Sequence, residues 1–326
     1  MNAFGAVFKN NYYRMFPRIV PMIIITAVTL VSIMLAVYIT GLQQVMGHIV
    51  IVSQGVSQTL PVKSKELDIS VLSKKPPRSD LIKQKYDAYI TVNKSGSYEV
   101  ETLHDNNYKN MILMLLKNPN VNVKIKGANR GVGVNITGFM MMFLLMIVLS
   151  NLFAFADDKE QGQLHRIAVS PASFIGYLAA HCAYCLSLLV PEFLMLAVLK
   201  WCGWDIGFSL PQYAGLIIVL GLLGISFGLL LNTFIKKPDN ANMLGNSVTV
   251  LMTVLAGGFY SFSKNNPVLD RIIGLLPQKE ILNFAQSIQN GTALQNCGQL
   301  IYVIMFSFLL FAVSCGALKQ MYVKKV

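Results

Sequence analysis

The sequence predicts an all-α polytopic membrane protein with six transmembrane helices and both termini cytoplasmic, carrying a small α+β extracytoplasmic domain. Three observations predict it. Of 326 residues, 54% are hydrophobic and only 13% charged, about half the charged share of a soluble domain. Six runs reach the roughly 20 apolar residues that a spanning helix requires. Lysine and arginine collect in the short loops on one side of those runs.

The chain opens with a basic segment, 1–18, expected in the cytoplasm. The first apolar run, Ile19–Thr40, exceeds the core of a cleaved signal peptide. The "GLQQVMG" after it offers no small-x-small cleavage site, so it reads as a retained anchor. The polar stretch 41–131 is expected to fold as the extracytoplasmic α+β domain. "YDAYITV" and "SYEVETL" flank "NKSG" as a hairpin would. "LDISVL" and "VNVKIKG" alternate like strands, and "NYKNMILMLLKN" has helical spacing. Its lone His104 reads as a surface residue. None of the five cysteines (Cys182, Cys185, Cys202, Cys297, Cys315) falls in this stretch, so no disulfide framework holds it.

The remaining runs, within 132–318, are Val132–Ala156, Ala172–Leu199, Leu210–Ile235, Asn240–Phe262 and Gln299–Leu318. Between the last two, over 263–298, Pro267 and Pro277 stand where two short amphipathic half-helices would begin at the outer face. Residues 319–326 are expected as a cytoplasmic tail. Ten lysines and arginines lie on one side: Lys9, Arg14, Arg18, Lys159, Arg166, Lys236, Lys237, Lys319, Lys324 and Lys325. The short loops of the other side hold four: Lys200, Lys264, Arg271 and Lys279. That asymmetry places both termini inside. The net charge of +12 is spread along the flanks of apolar runs rather than gathered in one patch. It therefore suits anionic lipid headgroups and excludes a nucleic-acid groove.

The loop between the second and third spans, "DDKEQGQLHRIAVSP", is densely charged. Leu164, Ile167, Ala168 and Pro171 share one face at helical spacing, with Lys159, Glu160, Gln163 and Arg166 around the rest. Amphipathicity alone fits either a solvated turn or a short helix, over 157–170, that docks on something. The order Glu160-x-Gly162, Leu164, Arg166, Ser170-Pro171 resembles the coupling loop of ABC-2 type transporter permeases, with His165 where an acidic residue is frequent. Six helices and a large domain after the first resemble one branch of that family. The resemblance implies a cytoplasmic ABC ATPase subunit as partner, gripping a coupling helix marked by Asp158, Glu160, Gly162, Leu164, Arg166 and Pro171. It also implies pairing of permease halves as a homodimer or heterodimer. The lysine- and asparagine-rich, cysteine-poor outer stretch fits a bacterial plasma membrane. ATP and magnesium would sit on the partner. No G-x-x-x-x-G-K-[ST] occurs here, so this chain is expected to carry no cofactor and no catalytic site of its own.

Two polar stripes fall inside apolar runs. Asn242, Asn246, Thr249, Thr253, Gly257 and Tyr260 step along one face of the fifth span. That face serves either helix packing or a translocation path. Ser173, Tyr177, His181, Cys185 and Glu192 form a similar stripe on the third. An acid within the bilayer is a candidate functional group, and Pro191 beside Glu192 predicts a kink. "HCAYC" (181–185) lacks the second ligand pair that a structural zinc requires. Gly224-x-x-x-Gly228 has the spacing of a close helix contact. Taken with the resemblance, these features predict the membrane permease of an ATP-driven exporter. A mechanotransmission protein driven by a similar ATPase, and an intramembrane enzyme, are the alternatives.

Overall fold

Val132–Asn151 is apolar on every side, and 15 of its 20 residues are buried. A helix of that kind belongs at the centre of a bundle, and the rest of the membrane unit is arranged around it. The computed structural model describes residues 3–42, 48–52, 68–72, 76–77, 81, 86, 88–92, 98–102, 106–117, 130–169, 173–259 and 267–323. The chain divides into two compact units, one of residues 1–38 with 131–326 and the other of residues 39–130.

In the larger unit, α1 (Ala3–Met15) and α2 (Ile19–Leu42) are joined by a single 3-10 turn at Phe16–Arg18. The central helix above is α4. It runs almost directly into α5 (Phe153–Glu160), and α6 (Gln163–Val169) follows. The expected third span is two helices, α7 (Phe174–Ser187) and α8 (Val190–Trp201). The break lies just before Pro191, which has no N–H to give and whose ring clashes with the carbonyl four residues back. Then come α9 (Leu210–Phe234), α10 (Pro238–Leu255), α11 (Pro267–Gly274), α12 (Pro277–Gln289) and α13 (Cys297–Leu318). Proline opens α10, α11 and α12, as expected of a residue tolerated only in a first turn.

Five helical stretches among the described residues are long and apolar enough to cross a membrane. They are Phe4–Tyr38, Val132–Glu160, Phe174–Trp201, Leu210–Phe234 and Ala293–Met321. The expected fifth span, Asn240–Phe262, corresponds to α10, which has 18 residues and begins with the polar "PDNAN". α2 and α13 turn large apolar side chains outward, among them Val20, Ile24, Val31, Phe308 and Leu309. Trp201 and Trp204 are exposed at the end of α8, an amphipathic pair of the kind found at a membrane–water boundary.

Glycines set the central contact. A Cβ on Gly224 would lie 3.1 Å from Val148, and one on Gly228 would lie 2.6 Å from Leu152. The expected glycine face of α9 is thus pressed onto α4, which allows close backbone approach.

The smaller unit holds a four-stranded sheet of β1 (His48–Val52), β2 (Asp68–Leu72), β3 (Ala88–Val92) and β4 (Tyr98–Thr102), in the order β2-β1-β3-β4. β3 and β4 pair antiparallel, as the hairpin signal predicts, but β1 pairs parallel with both β2 and β3. Helix α3 (Asn106–Lys117) covers one face with Ile112 against Ile49, Ile51, Ile90 and Val100. The expected strand "VNVKIKG" and His104 lie outside the described residues.

Candidate functional site

The charged loop resolves into a corner of two short helices. α5 is closed by Gln161 N–H donating to the Asp157 carbonyl at 2.9 Å and Gly162 N–H to the Lys159 carbonyl at 3.1 Å. Gly162 then takes φ +70°, with open space where a Cβ would stand. A left-handed turn is its requirement here, and glycine adopts it without the strain that a side chain adds. α6 leaves that turn with Leu164 fully buried against Phe155, Tyr177, Leu178, Leu229 and Leu318, and with Ile167 half-buried beside them. Burial of one leucine contributes roughly 1.5–3 kcal/mol, so α6 is held to the bundle by its apolar side. Glu160, Gln161, Gly162, Gln163, His165 and Arg166 remain exposed.

The aspartates before the turn face inward. Arg14 on α1 donates from Nη1 to Asp158 Oδ1 at 2.7 Å, and its Nη2 lies 3.6 Å from Asp157 Oδ2. Arg18 reaches Asp157 at 3.3 Å, and its guanidinium lies over the Phe153 ring at 4.4 Å. The Tyr177 hydroxyl donates to the other oxygen of Asp158 at 2.7 Å. His181 lies one turn further along α7, its Nε2 at 3.9 Å from the same oxygen. Asn11 Nδ2 donates to His181 Nδ1 at 3.1 Å, and the Tyr12 and Ser187 hydroxyls meet at 2.6 Å. Asp158 is therefore the meeting point of α1, α5 and α7.

Lys159 turns the opposite way. Its Nζ donates to the carbonyls of Asn232, Thr233 and Ile235 at 2.5, 2.8 and 2.9 Å. Those carbonyls belong to the last turn of α9, where a cation also complements the helix dipole. Three consecutive residues, Asp157, Asp158 and Lys159, thus tie α5 to both α1 and α9.

Of the residues expected to mark this loop, Glu160, Gly162 and Arg166 are on the surface, while Asp158 and Leu164 are turned into the chain's own interior. Pro171 lies outside the described residues. Arg14, Arg18, Lys159 and the Tyr177–Asp158 bond are features that sequence reasoning missed. The available signal was the pairing of two arginines and two aspartates at the same end of neighbouring spans.

The polar stripe of the fifth span does share a face of α10, and that face meets α4 of the same chain. Asn246 donates to Asn242 at 3.0 Å, and the Ser150 hydroxyl to Asn242 at 3.3 Å. Thr249 and Thr253 are buried, and the Thr253 hydroxyl has no hydrogen-bond partner among the described residues. Gly257, at φ +85°, ends the helix with Gly258 N–H bonded back to the Thr253 carbonyl at 2.9 Å. A Cβ on Gly138 would lie 2.1 Å from the Gly258 carbonyl oxygen, so this end of α10 rests directly on α4. Tyr260 lies outside the described residues. His181 and Glu192 do not share one unbroken helix, because the chain breaks between α7 and α8. Glu192 is fully buried, and neither carboxylate oxygen has a hydrogen-bond partner among the described residues. No cluster of metal-ligating side chains occurs among the described residues.

Several long apolar helices, a buried central helix and apolar side chains facing outward define a multi-pass membrane protein. The family model described as ABC-2 family transporter protein matches residues 17–315, and the chain belongs to that family. No curated protein matches it.

Proposed function

We propose that the chain is the membrane-spanning permease subunit of an ATP-driven exporter, moved by a separate cytoplasmic ATPase subunit that grips the α5–α6 corner. The carrying observation is the two-sidedness of α6. Its apolar side is locked into the bundle through Leu164, while Gln163 and Arg166 on its outer edge, with Glu160 and Gly162 just before it, are exposed. An amphipathic helix resting on lipid would direct its apolar face to the acyl chains. Here that face is occupied, which supports a protein partner for the polar edge.

Motion imposed on α6 would enter the bundle at α5. Through Asp157 and Asp158 it would reach α1, and through Lys159 the end of α9. Short charge-assisted bonds of this kind suit a lever that must not slip. In this reading α10 is the fifth of six spans, both termini are cytoplasmic and residues 41–131 lie outside. Two such chains, alike or homologous, together form the path. We assign substrate contact to the polar face of α10 around Asn246 and Thr253, whose buried oxygens lack hydrogen-bond partners among the described residues and would be satisfied when the path opens. A mechanotransmission protein driven by the same kind of ATPase would share the corner but not this face.

The test is Glu160→Lys with Arg166→Glu, both at exposed positions. The doubly substituted chain is expected to insert at wild-type level while ATPase retention in detergent extracts falls about tenfold, the effect of ~1.4 kcal/mol. Undiminished retention would remove the corner as the docking site.

A further inference from the structure

α13 ends at Leu318, and the chain continues as a five-residue π-helical turn, Lys319–Val323. Single π turns are rare and widen a helix where they occur. This one packs against α6. Leu318 is fully buried in the same apolar cluster that receives Leu164 and Ile167. The start of the turn is thus fixed to α6 by a shared core, while its own Lys319, Gln320 and Met321 are exposed.

The outer edge of α6 and the outer side of this turn therefore form one continuous surface from two distant parts of the chain. It is mainly basic: Arg166 and Lys319 are exposed, with Glu160 at the far corner. Leu164 and Ile167 of α6 are taken up by the bundle, so among the described side chains of this surface Met321, 40% exposed, is the apolar area on offer, little for an amphipathic lipid anchor. A surface with net positive charge, glutamines on both elements and a shared apolar core beneath it fits a protein groove with acidic walls.

We propose that the Lys319–Val323 turn is the second half of the ATPase docking surface, seated against an acidic wall of the same groove that takes α6. This rests on the coupling reading above. It adds that the end of the last helix is held by the partner, so that groove closure would move α13 together with α5.

The test uses the full-length chain co-expressed with its ATPase. In one variant Lys319→Glu is combined with Met321→Glu. In a second, Gln320 is replaced by the photo-crosslinking residue p-benzoylphenylalanine. Co-purified polypeptides are identified by labelling with 8-azido-ATP. The expected results are an approximately tenfold loss of the labelled subunit for the glutamate variant, at unchanged membrane insertion, and a crosslink from position 320 to that same subunit. Should wild type retain the subunit while the glutamate variant retains it equally and position 320 crosslinks only to lipid, the turn faces the membrane and the proposal is overturned, with the α6 reading intact. Should wild type retain no azido-ATP-labelled subunit, the coupling reading falls and the proposal falls with it.

Discussion

Asp158 shows what a single carboxylate does when it is placed between three helices. Its side chain is 12% exposed and that of Arg14 is 24% exposed, so the pair is partly sheltered and each oxygen has a distinct donor. Removing Arg14 leaves the aspartate with the Tyr177 hydroxyl as donor and His181 nearby at 3.9 Å. For a fully buried pair the loss of one partner costs about 3–5 kcal/mol; with water still reaching this one, Arg14→Ala is expected to cost roughly 2–3 kcal/mol. Thermal unfolding of the purified chain in detergent measures it. The double variant with Asp158→Ala should cost less than the sum of the singles by at least ~1 kcal/mol, as expected for groups in direct contact. Additive losses would mean that the bond does not hold α1 to α5.

At the scale of elements, packing against α4 is the feature most sensitive to substitution. Gly228→Leu would drive a side chain into Leu149 and Leu152. Overpacking of this kind costs about 1–3 kcal/mol, so reduced yield of inserted protein and a lower melting temperature are expected. Normal yield and melting would show that the two helices can separate freely. The glycine face, the proline starts of α11 and α12, the break before Pro191 and the β3–β4 hairpin were legible in the sequence. Each is set by residues close together in the chain. β1 and its parallel pairing were not legible, because "HIVIV" is a short apolar run whose partners lie elsewhere. The Arg14–Asp158 bond spans 144 residues and leaves no periodicity to read. The face of α10 was legible as polar, but its direction, toward α4, was not. A stripe reports that side chains share a side, and packing alone decides what that side meets.

For the molecule as a whole, the loop that stands out in the sequence for its charge is divided by the fold into two functions. Its first three charged residues bind inward and make α5 a shared joint for α1, α7 and α9. Of the residues after them, Leu164 is buried in the bundle, while Glu160, Gln161, Gly162, Gln163, His165 and Arg166 stay exposed. That division matches a subunit moved from outside at one corner, and it explains why so much charge sits on so short a turn. Lys159→Met keeps the stem but removes the three bonds to the end of α9. It is expected to leave ATPase retention unchanged while lowering substrate transport, because the joint and not the docking edge is weakened. The most direct measurement of the central claim is retention of an azido-ATP-labelled ATPase subunit by this chain, purified from its native membrane, with wild type compared to the Glu160→Lys, Arg166→Glu chain. Retention by wild type and its loss in the variant, at equal insertion, is the predicted result. Equal retention by both, or none by wild type, would contradict the assignment of the α5–α6 corner as the point where an ATPase takes hold.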